Sequence, residues 1–182
     1  SWDGSAWSQV GNDIDGEASF DNSGRSVSID SDGSHVAIGA NLNDGTGTNA
    51  GHVRIYSWDG SAWSQVGNDI DGEAAYDESG RSVSIDSDGS HVAIGAIYNG
   101  GTASYAGHVR IYSWDGSAWA QVGSDIDGEA ANDYSGASVS IDSDGSHVAI
   151  GAYGNDGAAS NAGHVRICLL YTSPSPRDLS SS

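Results

Sequence analysis

Three five-residue segments hold the densest chemistry in this sequence. Asp13-Ile14-Asp15-Gly16-Glu17, Asp69-Ile70-Asp71-Gly72-Glu73 and Asp125-Ile126-Asp127-Gly128-Glu129 each gather three carboxylates around one glycine. Calcium takes about six to eight oxygen ligands, and a flexible acidic loop can supply several of them. Asp13, Asp15, Glu17, Asp69, Asp71, Glu73, Asp125, Asp127 and Glu129 are therefore the candidate metal ligands, for Ca2+. The order of an EF-hand loop is not met, because no Glu follows at the right distance. The competing reading is turn chemistry, in which Asp and Gly shape the chain and the carboxylates solvate it.

The remaining polar residues point less to chemistry. Asp30/Asp32, Asp86/Asp88 and Asp142/Asp144, with Asp3, Asp59 and Asp115, flank glycines and read as turn formers. His35, His91 and His147, and again His52, His108 and His164, are equivalent positions that could ring a zinc ion. No His-x-x-x-His spacing and no cysteine partner supports that, so they are expected to pack or hydrogen-bond at strand starts. Arg54, Arg110 and Arg166 are expected to pair with neighbouring carboxylates. Trp2, Trp7, Trp58, Trp63, Trp114 and Trp119 could stack on sugars, but their regular recurrence favours packing between repeats. No Gly-x-Ser-x-Gly elbow is present, and every carboxylate pair recurs from repeat to repeat. The expectation is a chain that is not an enzyme.

What must position these residues is a repeat. Ser23–Ala40 returns as Ser79–Ala96 and Ser135–Ala152, a shift of 56 residues without insertion or deletion. Such a period marks a solenoid, a propeller or another array. Within each copy Val27/Ile29 and Val36/Ile38 alternate with polar or small residues, the period of a half-buried strand. Asp32-Gly33 between them supplies a tight turn. The second copy offers four strands: Arg81–Asp86, His91–Gly95, His108–Trp114 and Ala118–Val122. Four short strands per period and no helical pattern predict an all-β fold of four-stranded antiparallel propeller blades. The expected repeats are 1–56, 57–112 and 113–167. Copies differ at Ala18–Asn22 and Asn41–Asn49 and at their equivalents Ala74–Glu78, Ala130–Tyr134, Ile97–Tyr105 and Tyr153–Asn161, which read as loops.

Composition narrows the partners. The 25 acidic residues face six Arg, for a net charge of −19, which argues against nucleic acid and anionic membranes. No apolar run approaches the ~20 residues of a membrane span, so no membrane insertion is expected. No cysteine falls within the repeats. The chain opens in mid-repeat, which leads us to expect further blades of a longer parent chain. Where the repeat calls for Tyr-Ser-Trp after Ile167, Cys168–Ser182 follows, with the only Cys and both Pro. That stretch resembles the in-frame translation of a sequencing-library adapter. It is set apart as a non-native or disordered tail.

Taken together, Asp77-x-Ser79-Gly80-x-Ser82-Val83-Ser84-Ile85, Val92-Ala93-Ile94-Gly95-Ala96 and Gly107-His108-Val109-Arg110-Ile111-Tyr112 resemble the FG-GAP repeat. Repeats of that family build the integrin α-chain propeller. The linking segment Trp63–Ala74 is similar to that of bacterial and algal arrays of the type. Two departures stand out: Ser23, Ser79 and Ser135 replace the Phe of Phe-Gly, and Asn41, Ile97 and Tyr153 replace the Pro of Gly-Ala-Pro. The hairpin Asp86-Ser87-Asp88-Gly89-Ser90 is also shorter than the family's calcium loop. The resemblance implies an extracellular or cell-surface recognition or adhesion module, binding a protein or glycan ligand through its loops. The alternatives are a purely structural acidic spacer, or the propeller scaffold of a hydrolase or lyase whose active site lies outside these residues.

Overall fold

The computed structural model describes residues 4–170. Its regular structure is all β, in three antiparallel sheets that follow one another along the chain. The first runs β1 (Ser26–Ile29), β2 (His35–Ala40), β3 (His52–Trp58) as a meander. Its outer position is shared by β4 (Trp63–Gln65) and β5 (Ile70–Asp71), both paired with β3. The second repeats this with β6 (Ser82–Ile85), β7 (His91–Ala96), β8 (His108–Trp114), β9 (Trp119–Gln121) and β10 (Ile126–Asp127). The third holds β11 (Ser138–Ile141), β12 (His147–Ala152) and β13 (His164–Leu169). This is the expected blade, with one difference. The fourth strand is split in two, because Gly67 and Gly123 adopt positive φ (72° and 74°) and turn the chain away from its partner. The sheets are also offset from the sequence period: each takes its outer strands from the following 56-residue copy.

The hairpin reading holds in detail. Asp30 to Ser34 turns β1 into β2, with Gly33 at φ 78°. Gly89 and Gly145 do the same at 76° and 73°. The serines that alternate with Val and Ile have a specific task. Ser26 Oγ donates to Gly80 O in the next sheet at 2.8 Å, and Ser28 Oγ accepts from Ile85 N at 3.0 Å. Ser82 and Ser84 repeat both bonds toward Gly136 and Ile141, at 2.7 and 3.0 Å. Backbones approach so closely here that a Cβ on Gly39 would collide with the Gly80 carbonyl. Parallel bridges Gly51–Ser79 and Gly107–Ser135 complete the seam.

Behind these bonds lies the apolar core, and it lies between blades. Val53, Ile55 and Ile70 of the first sheet pack on Val83, Ile85, Val92 and Ile94 of the second, with Tyr112 and Trp119 at the margin. A second cluster joins Val109 and Ile111 to Ile141, Val148 and Ile150. Where a blade has no neighbour among the described residues, the same positions are open. Val27 and Ile29 are 63% and 60% exposed, whereas their equivalents Val83 and Ile85 are 8% and 6%. Val165 and Ile167 are likewise exposed at the other end.

The tail boundary set at Cys168 does not coincide with the end of regular structure. Cys168 and Leu169 pair with Val148 and His147 as the last residues of β13. Residues 171–182 lie outside the described residues. Cys168 stands where Tyr56 and Tyr112 stand, each of those rings lying 5.5 Å from the guanidinium carbon of Arg54 or Arg110. The smaller side chain borders an apolar cavity of about 230 Å³ lined by Ile111, Val122, Ile141 and Val148. Cys168→Tyr should fill it and stabilise the third blade by roughly 1–2 kcal/mol. Thermal melting of the two proteins checks this, and a fall in melting temperature would mean that the third seam is packed unlike the first.

Candidate functional site

The acidic segments end up at the seams, and the structure divides each of them between two places. Asp69 immediately precedes β5, whose Asp71 is the register partner of His52 on β3. Glu17, one repeat earlier, approaches the same histidine from the other side. His52 Nδ1 lies 3.5 Å from Asp69 Oδ2 and 3.9 Å from Glu17 Oε2. The next seam repeats the set: His108 Nδ1 lies 3.6 Å from Asp125 Oδ2 and 3.8 Å from Glu73 Oε2. In each trio the ligand atoms lie within 4.8 Å of one another. These acid and imidazole groups could hold a metal ion.

Of the nine candidate carboxylates, Glu17, Asp69, Glu73 and Asp125 fall in the two trios. Asp13 accepts a hydrogen bond from Gln9 Nε2 at 2.9 Å. Asp15, Asp71 and Asp127 offer their main-chain carbonyls to Arg54, Arg110 and Arg166. Glu129 faces His164 and Arg166 at 3.9 Å each, a trio short of its second acid among the described residues. Three carboxylates adjacent in sequence therefore do not converge on one ion. Asp69 and Glu73 look out from opposite sides of the turn, into successive seams. The donor set differs too: calcium takes oxygen ligands, and the central group here is an imidazole.

Electrostatics at the second trio favours a neutral ring. Burial pushes the His108 imidazole below its ordinary value, and the Arg110 charge pushes it further. Burial and then the Asp69 carboxylate raise Asp71, a sign of crowded negative charge. His52 and His108 were weighed in the sequence as zinc ligands and set aside for want of a nearby partner. Their partners lie far away in the chain, on neighbouring blades, and no local spacing reveals them. The other histidines do what was expected: His35, His91 and His147 hold Asp30, Asp86 and Asp142 at 2.8 Å across the hairpin.

Trp58, Trp63, Trp114 and Trp119 pack, while Trp7 is 82% exposed. Trp63 and Trp119 reach back one repeat to donate to Val10 O and Val66 O at 2.9 and 2.8 Å. Trp58 and Trp63 tilt together at 5.4 Å. Trp2 and Asp3 lie outside the described residues. A second aromatic group went unnoticed in the sequence. Tyr98 and Tyr105 of one variable loop meet Tyr134 and Tyr153 of the next repeat. Tyr98 contacts Tyr105 and Tyr134 edge-on at 5.6 and 5.9 Å, and Tyr134 stacks on Tyr153 at 5.1 Å. At the preceding seam these positions are Leu42, Asn49, Glu78 and Ile97. The tyrosine patch is not repeated.

No protein-family model matches the sequence, and no curated protein matches it. Solved structures are similar to it over part of their length. One is a Bacteroides uniformis protein described as a 6-phosphogluconolactonase, at 12% identity and a TM-score of 0.49, covering 78% of this chain and 34% of that one. Another is the periplasmic gluconolactonase of Pseudomonas aeruginosa, at 16% and 0.48, covering 72% and 37%. The chain spans about a third of the length of these proteins. The expectation of a chain that is not an enzyme does not stand, since carboxylate pairs that recur from repeat to repeat do not by themselves exclude catalysis.

The hairpin carboxylates carry a pH consequence. The His147 backbone N–H, 3.0 Å from Asp142 Oδ1, holds that carboxyl down to about 2 from its ordinary 3.8, with the His147 ring and Ser146 adding to it. As pH falls, the unfolded chain takes up this proton first. Stability present above pH 3.8 is therefore lost toward about pH 2. Asp142→Asn should show a smaller fall in melting temperature over that interval than the parent, read by circular dichroism. An equal fall would mean that the bond contributes nothing.

Proposed function

We propose that this chain is a run of blades from a larger β-propeller protein that engages a carbohydrate through the loop edge carrying Tyr98, Tyr105, Tyr134 and Tyr153. The observation that supports it is the tyrosine patch. A feature that serves the scaffold recurs with the period, and this one does not. Tyr105 and Tyr134 also sit at φ 56° and 54°, where the first and third repeats have Asn49, Asn161 and Asn22. Positive φ is uncommon for a bulky residue, and these two rings are kept there nonetheless. Half-exposed aromatic faces suit the apolar face of a sugar. The reading keeps the FG-GAP resemblance and an extracellular or cell-surface setting as parts of the same proposal.

A second reading is a hydrolase built on this scaffold, with its centre completed by residues beyond these repeats. It is the class given to the two solved neighbours. What favours it in this chain is the imidazole between two carboxylates in each trio, a set able to hold a metal and the water it activates.

Titration with soluble polysaccharides, followed by calorimetry, should give saturable binding. Tyr98→Ala and Tyr153→Ala should each weaken it roughly 2- to 10-fold, the range of about 0.5–1.5 kcal/mol for an aromatic contact. Both positions lie outside the positive-φ set, so the fold should be kept. Opening of an aldonolactone by the chain, measured in parallel, would establish the second reading. Undiminished binding in both variants would sink the first.

A further inference from the structure

The Glu73–His108–Asp125 trio has an unpartnered nitrogen at its centre. His108 is 1% exposed, and its Nδ1 has no hydrogen-bond partner. That atom faces Asp125 Oδ2 at 3.6 Å and Glu73 Oε2 at 3.8 Å, beyond direct hydrogen-bond reach. Buried ring nitrogens are seldom left this way, because the lost solvation is not recovered. His52, equally buried, presents its Nδ1 to Asp69 and Glu17 at 3.5 and 3.9 Å by the same repeat geometry, and its unpartnered ring nitrogen is Nε2. Nitrogen and oxygen ligands at ~2.0–2.1 Å from a tetrahedral ion stand roughly 3.3–3.4 Å apart. The imidazole–carboxylate distances run a few tenths of an ångström wider than that, and all the ligand atoms of a trio lie within 4.8 Å of one another. Charge points the same way at the first seam. The carboxylates of Glu17 and Asp69 both lie close enough to act on Asp71 there, with Arg54 Nη1 3.5 Å from Glu17 Oε1 and Arg110 Nη2 on the Asp71 carbonyl.

We infer that Glu17–His52–Asp69 and Glu73–His108–Asp125 are binding sites for a divalent transition ion of the zinc class, held by imidazole Nδ1 and one oxygen from each carboxylate. The imidazole selects against calcium and magnesium, which take oxygen ligands. The ion joins one acidic segment to the next across a seam that otherwise relies on side-chain hydrogen bonds and apolar packing. A water completes the open side. Glu129 and His164 are the corresponding part of a third site, short of its second acid among the described residues.

The test uses the whole chain, stripped with a chelating resin. Zn2+ is titrated by calorimetry, Co2+ by visible absorption, and Ca2+ as the competitor. Two Zn2+ per chain are expected, one for each complete trio. Co2+ should develop the absorption of a low-coordinate site, and Zn2+ should raise the melting temperature. Glu73→Gln should leave one site, and Glu17→Gln with Glu73→Gln none. Both glutamates are exposed, so neither change should disturb the seam core, and an unaltered circular dichroism spectrum verifies that. Absence of saturable uptake, uptake undiminished in the double variant, or Ca2+ displacing Zn2+ at equal concentration would each overturn the assignment. No carbohydrate or lactone enters the readout, so its outcome is separate from that of the tyrosine patch.

Discussion

Everything in this structure depends on one constraint: no blade buries its own faces. A single sheet has Val and Ile on both sides, and nothing within it covers them. Burial comes from the next copy, 56 residues on, when Val53 and Ile55 close over Val83 and Ile85. Repeat proteins are quasi-one-dimensional in this sense, with stability divided between units and their interfaces. The exposed Val27, Ile29, Val165 and Ile167 show what an interface face looks like when no neighbour covers it. Fully burying such a side chain is worth about 1.5–3 kcal/mol, so the seams dominate the stability of the array.

The seam also explains the odd composition of the strands. A sheet interface made of Val and Ile alone would slide. Ser26, Ser28, Ser82 and Ser84 lock it, each bonding to a main-chain group of the next sheet. The close approach of Gly39 to Gly80 works with them, because only glycine lets the two backbones lie so near. Register between blades is thus set by polar pairs of fixed geometry, and the strength of the contact comes from the apolar residues behind them.

Local features were legible in the sequence because their causes are local. Period-2 alternation marked the strands, Asp-Gly marked the hairpins, and the recurrence of both gave the blade. The outer strand was read to stop at Val122; what went unread is that the chain, turned by Gly123, returns to β8 at Ile126–Asp127, a pairing too short to carry a period. The site was legible only in part. The carboxylates were evident as a cluster, but adjacency in sequence suggested one ion per segment. In the structure a turn aims Asp69 and Glu73 at different seams, and the histidines that meet them come from strands far along the chain. Tyr98, Tyr105, Tyr134 and Tyr153 were each visible within loops singled out as variable. Their convergence depends on how two blades pack, which no window of sequence contains.

Repetition itself separates the two kinds of site. The histidine–carboxylate trios recur at 56 residues, as do the serine bonds, the Trp63 and Trp119 indole contacts and the arginine bridges. Whatever they bind serves every seam alike, so a structural tie suits them best. The tyrosine patch occurs at one seam only, on loops whose other copies carry Leu42, Asn49, Glu78 and Ile97. The core beneath it follows the other seam, apart from Cys168 where the first seam has Tyr112. A duplicated scaffold gains an asymmetric surface in this way: the buried positions are held by their neighbours in every copy, and the loop positions are held by nothing but what they contact.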